Sequence, residues 1–174
     1  EPFETLFSAI DKYGSEFAYN LYPKGWGHAG NTPLQWYKMD TYGGGIRDPL
    51  IMHWPDQIND KGSIREQFHH CTDIVPTILD ILSLDAPETI KGISQLPIHG
   101  TSMKYTFSKN TSVSNKKVQY FEMLGDRGIW ANGWKAVTRH QKGEPFENDK
   151  WELYHIEKDF SEKNNLSEKY PGKL

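Results

Sequence analysis

The stretch from Trp36 to Pro55, WYKMDTYGGGIRDPLIMHWP, constrains this chain more than any other, because it joins a lysine, three consecutive glycines and an apolar run closed by proline. Gly43-Gly44-Gly45 can adopt positive φ and let other groups come close to the backbone. Ile46 to Trp54 carries β-branched, aliphatic and aromatic residues and predicts a buried strand, ended by Pro55, which has no N–H to give a ladder. A strand entered through a glycine turn places that turn, and Lys38 just before it, at the rim of a sheet. Open α/β sheets put their ligands at that rim.

On either side the hydrophobic period changes. Residues 1–13 predict a short amphipathic helix with Phe3, Leu6, Phe7 and Ile10 on one face and Gly14 as its stop. Residues 15–33 are aromatic without periodicity (Tyr19, Tyr22, Trp26) and predict a long loop, a length that usually signals function or disorder, and the aromatic residues favour function. After a polar turn at 56–63, Thr72 or Asp73 is expected to cap a helix that admits Pro76 in its first turn and ends at Asp85-Ala86-Pro87. Its stripe of Ile74, Ile78 and Leu82, flanked by Val75 and Leu79, should pack on the sheet. Residues 88–115 are a polar connector. Residues 117–124, 127–130, 134–139 and 151–156 predict short strands, with tight turns at Gly125-Asp126 and Asn132-Gly133, the latter a strong hairpin signal. A polar helix is expected over 162–174.

Composition removes several classes of function. With 20 basic against 23 acidic residues the net charge is −3, so no basic field argues for nucleic acid. No apolar run approaches the roughly 18–20 residues of a membrane span. Aromatic residues make up 13% of the 174, which argues for a folded protein. Cys71 is the single cysteine, so an internal disulfide is excluded, which suits either the cytoplasm or the periplasm. The first residue is Glu1 and no signal peptide is present, so a segment cut from a longer protein is expected.

Lys38, Thr41-Tyr42, the glycines, Arg47-Asp48-Pro49 and Trp54-Pro55 together resemble the K-x-x-T-Y-x-G-G-x-R-[DE]-P-x-x-x-x-W-P segment of the sulfatases, specifically the arylsulfatase-like sulfuric ester hydrolases. Further matches follow in the family's order. YNLYPKGWGHAGNTPLQWYK is similar to a piece near the active-site entrance of large bacterial members, and the helix segment that begins at His70 resembles H-x-x-D-[IL]-x-P-T-[IL]-L-x-[IL]. RGIWANGWKAV and WELYHIEKDFSEKNNLSEKYP are similar to the C-terminal signature, R-x-[IV]-[RW]-x-x-x-W-K with the ending L-Y-[DH]-[IL]-x-x-D-x-x-E-x-x-N-L. In Gly100-Thr101-Ser102-Met103 the family's turn is matched imperfectly, since His99 stands where aspartate is usual.

The resemblance covers only the C-terminal part of a sulfatase, and it implies an α/β, alkaline-phosphatase-like fold ending in a small antiparallel sheet with a terminal helix. Residues 1–84 would complete the catalytic domain and residues 85–174 would form a small α+β subdomain. A complete member carries Cys-x-Pro-x-Arg, or its serine version, whose first residue becomes the formylglycine nucleophile. It also carries Asp-Asp and Asp-Asn-Gly motifs that hold calcium. None of these motifs occurs in this chain. The missing N-terminal catalytic domain is therefore an expected partner, the isolated chain is expected to be inactive with no cofactor of its own, and its uncovered apolar surface should favour self-association.

By the same resemblance Lys38 matches the lysine that contacts the sulfate opposite the nucleophile. Sulfate transfer spreads negative charge over the non-bridging and leaving oxygens, and a preplaced ammonium stabilises it, worth about 2–4 kcal/mol by analogy with lost oxyanion donors. His28, on the aromatic loop, is a second candidate for contacting substrate, ahead of Lys24 and Trp26. His69 and His70 are expected to be structural, one packed and one exposed, because neighbours on a helix point apart and no third metal ligand is suitably spaced. Cys71 is expected to be a core residue at the helix start. Arg47 and Asp48 should position the glycine turn, and Trp130, Trp134 and Trp151 should fill the space between the terminal sheet and its helix, although an aromatic row could bind sugar. Two other classes fit the same residues: a non-catalytic glycan-binding module, and a related hydrolase of phosphate or phosphonate esters.

Overall fold

Asn132 and Gly133 both adopt positive φ, 47° and 81°, and reverse the chain between two strands in the two-residue turn that their sequence specifies. Leu124 and Gly125, at 56° and 97°, do the same one hairpin earlier. The result, in a computed structural model that describes residues 3–17, 22–60, 62–108 and 113–174, is an antiparallel meander. Its strands are β3 (Val118–Met123), β4 (Asp126–Ala131), β5 (Trp134–Thr138) and β6 (Glu152–His155), hydrogen-bonded in that order. Before it come helices α1 (Phe3–Ser8), α2 (Lys24–Gly30), α3 (Gly43–Ile46) and α4 (Ile74–Leu82), and a small hairpin of β1 (Thr89–Ile90) with β2 (Ile93–Ser94).

Register aligns two rows across one face of the sheet: Gln119, Trp130, Lys135 and Tyr154, and beside them Phe121, Gly128, Val137 and Glu152. On this face sits the core of Tyr42, Trp130, Val137, Tyr154 and Ile156, with Trp36, Phe68 and Phe121 packed around it. Trp130 stacks on Phe68 with ring centroids 3.8 Å apart. Gly128 leaves room for Thr41, whose Cβ would lie 3.4 Å from any Cβ added there and whose hydroxyl donates to the carbonyl of Arg127 at 3.3 Å. Segment 34–47 therefore docks directly on the sheet.

Several expected elements differ. The run 46–54 forms no strand: α3 is a single helical turn, and residues 47–54 have no regular structure, with Ile51 91% exposed. β-branched residues make a strand only where another strand pairs with them, and none of the described residues does. Nor do Gly43, Gly44 and Gly45 use positive φ. The N-terminal helix stops at Ser8, followed by a 3-10 turn at Ile10–Lys12 and Gly14 at φ 86°. The expected loop 15–33 contains α2, concealed in the sequence by its three glycines; its Tyr19 lies outside the described residues.

Helix α4 ends at Leu82 because Ser83 turns left-handed, φ 53°, before Asp85 is reached. Its stripe does not pack on the sheet. Ile74, Val75, Ile78 and Leu82 are exposed, and the residue it buries is Thr77, which accepts from the Met103 N–H at 2.8 Å. Cys71 is exposed and not in the core. No α-helix forms over 162–174, where a 3-10 turn at Pro171–Lys173 is the one helical element. Side chains compete for the backbone there: Asp159 accepts from the N–H groups of Lys163 and Asn164, and Asn165 from those of Leu153 and Ser167. Glu162, at φ 57°, is incompatible with a helix. No helix among the described residues is long and apolar enough to cross a membrane.

Candidate functional site

Lys38 lies exposed at the tip of a tight turn that the Asp40 N–H closes by donating to the carbonyl of Tyr37 at 3.2 Å. The residues around it are in unusual conformations, with Trp36 at φ 63° and Met39 at φ 78°. Conformations of this kind cost about 1–3 kcal/mol each and persist only where the surroundings hold them. The glycines supply part of that hold by close approach. A Cβ on Gly44 would sit 2.0 Å from the carbonyl oxygen of Trp36, and one on Gly45 would sit 2.0 Å from that of Asp40. Gly44 N–H donates to the Gln35 carbonyl at 2.7 Å, and the Asn31 amide donates to the carbonyls of Trp36 and Gly44 at 2.9 and 2.8 Å.

His28 is exposed on α2 and stacks on Trp36, centroids 5.6 Å apart and planes within 12°, with Tyr37 edge-on at 6.4 Å. The structure thus brings His28 against the two residues that precede Lys38. The ammonium of Lys38 forms no ion pair with any described residue. Beyond Met39 and Asp40, a cleft of about 300 Å³ opens between the turn and β3, lined also by His70, Tyr120 and Glu122.

The sheet moors this turn through buried charges. Glu162, 1% exposed, accepts from the Gly43 N–H at 2.7 Å with one carboxylate oxygen and from Lys135 Nζ at 2.5 Å with the other. Burial lowers the pKa of Lys135, and the charge of Glu162 works against that shift. Tyr42 and Tyr154 both donate to Glu152, at 2.5 and 2.6 Å; burial first, then the bonded carboxylate, raises both phenols above their ordinary range. Arg47 caps α3 with its backbone N–H on the Gly43 carbonyl, and its guanidinium lies 4.2 Å above the ring of Phe160. Arg139, at the end of β5, lies 3.5 Å above the Trp36 ring while its Nε donates to Asp40 Oδ2 at 3.0 Å.

A second buried carboxylate organises the start of α4. Asp73 accepts from the N–H groups of His70 (2.9 Å) and Thr101 (2.8 Å), pairs with Lys116 at 3.0 Å, and lies 3.0 Å from His69 Nδ1. Burial alone would raise it; the four partners together hold it below the usual carboxylate range. The cap is accordingly shared, with the His70 ring accepting from the Thr72 N–H. His69 and His70 are both partly buried, the former bridging Asp73 and the Tyr105 hydroxyl. Burial, then the charge of Lys116, lowers the pKa of His70. Of the tryptophans, Trp130 fills the core under Tyr42, while Trp134 packs on the terminal segment at Tyr170, 5.5 Å away.

Among the described residues no group of three or more His, Cys, Asp or Glu is arranged to hold a metal. The three buried carboxylates, Asp40, Asp73 and Glu162, each already face a cation. Among the described residues these carboxylates form no calcium ligand set. Sequence reasoning did not single out Arg139, Asp40 or Glu162. A signal existed for Glu162, since it is the glutamate of the ending D-x-x-E-x-x-N-L, whose Asp159 and Asn165 organise the backbone around it.

Residues 34–172 match the family described as N-sulphoglucosamine sulphohydrolase, C-terminal. An uncharacterised sulfatase of Schizosaccharomyces pombe is 27% identical over 99% of this chain and 31% of its own length. The N-acetylgalactosamine-6-sulfatase of Mus musculus is 27% identical over 76% of this chain and 26% of its own. The chain thus spans under a third of the curated relatives it matches. Among solved structures, Ps i-CgsB superimposes with a TM-score of 0.63 at 28% identity, over 83% of this chain and 30% of that one, both alone and in complex with k-i-k-neocarrahexaose.

Proposed function

Since the chain belongs to the N-sulphoglucosamine sulphohydrolase C-terminal family and is a C-terminal sulfatase segment, we propose that it forms one wall of the active site of a sulfate-ester hydrolase. Lys38 stabilises the charge that develops on the sulfate and leaving oxygens as the S–O bond breaks. His28 contacts the substrate beside it. The observation that carries this reading is an exposed ammonium without a carboxylate partner among the described residues, on a turn whose strained backbone is braced on both sides.

The formylglycine and calcium belong to the rest of the parent, where they supply the nucleophile and its activation. This segment supplies no nucleophile and no metal ligand, so the isolated chain is inactive. Residues 1–84 complete the catalytic domain of the parent and residues 85–174 form its small subdomain. The names of two relatives, the N-acetylgalactosamine-6-sulfatase and the carrahexaose complex of Ps i-CgsB, support a sulfated sugar as the ester.

The test is turnover of a chromogenic aryl sulfate and of sulfated oligosaccharides, with calcium, by the full-length parent and its Lys38→Ala variant. Expected is turnover by the parent and a loss of about a hundredfold in the variant at unchanged stability. Turnover of a phosphate or phosphonate ester in place of sulfate would move the chain to that sister activity. Saturable glycan binding with no turnover of any ester would make it a binding module.

A further inference from the structure

Lys38 is the centre of a turn whose two flanks are held by one side chain that directly follows β5. Arg139 reaches both flanks of the lysine at once: its guanidinium lies over the ring of Trp36, two residues before, and bonds through Nε and Nη2 to the carboxylate of Asp40, two residues after. Asp40 is 6% exposed and its other oxygen accepts from the Tyr42 N–H at 3.1 Å, so the carboxylate links the guanidinium to the start of α3. Between these two holds the backbone passes through the left-handed conformations of Trp36 and Met39. Neither is a glycine, so neither conformation is favoured locally.

We propose that Arg139 is a positioning residue for Lys38, fixing where its ammonium meets the sulfate without touching the substrate itself. This rests on the reading of Lys38 given above. The guanidinium suits the task because it is planar and permanently charged. It can stack on an indole and present two donors to one carboxylate, which an ammonium cannot do. Removing it frees the turn to relax its positive-φ residues, and a shift of about 1 Å in a reacting group is enough to lose up to about a hundredfold in rate.

The experiment is a double-mutant cycle in the full-length enzyme, measuring kcat and KM for an aryl sulfate together with the melting temperature. Expected is a fall in kcat of about tenfold to a hundredfold for Arg139→Met, with Arg139→Lys close to it because the bidentate geometry is lost. In the Lys38→Ala background Arg139→Met should change kcat little further, because it acts through a lysine that is gone. Multiplicative losses, or an unchanged kcat in Arg139→Met, would overturn the proposal. Full activity in Lys38→Ala alone would instead overturn the reading of Lys38 beneath it. Should Arg139→Met not fold, Asp40→Asn breaks the same ion pair at nearly constant volume and goes through the same cycle, with the same outcomes deciding.

Discussion

The carboxylate of Glu162 accepts a hydrogen bond from the backbone N–H of Gly43 at 2.7 Å, joining the C-terminal segment to the first residue of the turn that follows Lys38. A Cβ on Gly43 would come within 3.2 Å of that carboxylate oxygen, so the glycine is what lets the contact be direct. The other oxygen of Glu162 holds Lys135, which is buried on the sheet.

Removing this carboxylate should be costly for the parent. Glu162→Ala leaves Lys135 buried without a counter-charge, and the expected loss of stability is about 3–5 kcal/mol, read from urea unfolding. Glu162→Gln keeps an acceptor for the Gly43 N–H and should lose less. Equal losses in the two variants would mean that the charge facing Lys135, and not the hydrogen bond to Gly43, is what matters at this position.

The glycines separate sharply by position. Gly44→Ala and Gly45→Ala each drive a methyl into a backbone carbonyl 2.0 Å away, and should cost at least about 1–3 kcal/mol and lower aryl sulfatase activity with it. Gly25, inside α2, has nothing within 4 Å of an added Cβ. Gly25→Ala should therefore be neutral or stabilise by up to about 1 kcal/mol, which thermal melting of the three variants would show or refute.

Asp73 sets an acid limit. Its folded pKa lies below the ordinary 3.8, so its contribution to stability is fully present above that value and is lost as pH falls through the lower folded one. Asp73→Asn should start less stable at neutral pH, leaving Lys116 without its partner, and should then lose less stability across the acid range. Unfolding curves collected at a series of pH values check the slope; parallel profiles for the two proteins would contradict the assignment.

Expressed on its own, the 174-residue chain should self-associate. Ile51, Ile74, Val75, Ile78 and Leu82 are all exposed, Ile51 at 91% and both Val75 and Leu82 at more than half of their surface. Light scattering after size-exclusion chromatography should report a mass above that of one chain, reduced by charged substitutions such as Ile51→Lys and Val75→Glu. A clean monomer at high concentration would count against it.

What was legible in the sequence follows the range of the interactions. The meander could be seen because Asn132-Gly133 and the alternation of β4 and β5 are local signals that tertiary context leaves alone. The run 46–54 looked like a strand because its residues favour one, but pairing is not a local property, and none of the described residues supplies it. The terminal helix failed for a related reason: Asp159, Glu162 and Asn165 are acceptable helix residues until their side chains find backbone N–H groups elsewhere. At the site, the lysine and its glycines were visible as a motif. The contacts that hold them were not, because Asp40 and Arg139 are 99 residues apart and no spacing rule links them.

The same separation sets an order of events during biosynthesis. Gly43 leaves the ribosome 119 residues ahead of Glu162, and Asp40 leaves 99 ahead of Arg139, so the lysine turn is made long before anything that can hold it. Arg139, directly after β5, closes one of these long loops, and only the segment after β6 closes the other. A premature stop before Arg139 would spare every residue of the turn and still leave the lysine untethered.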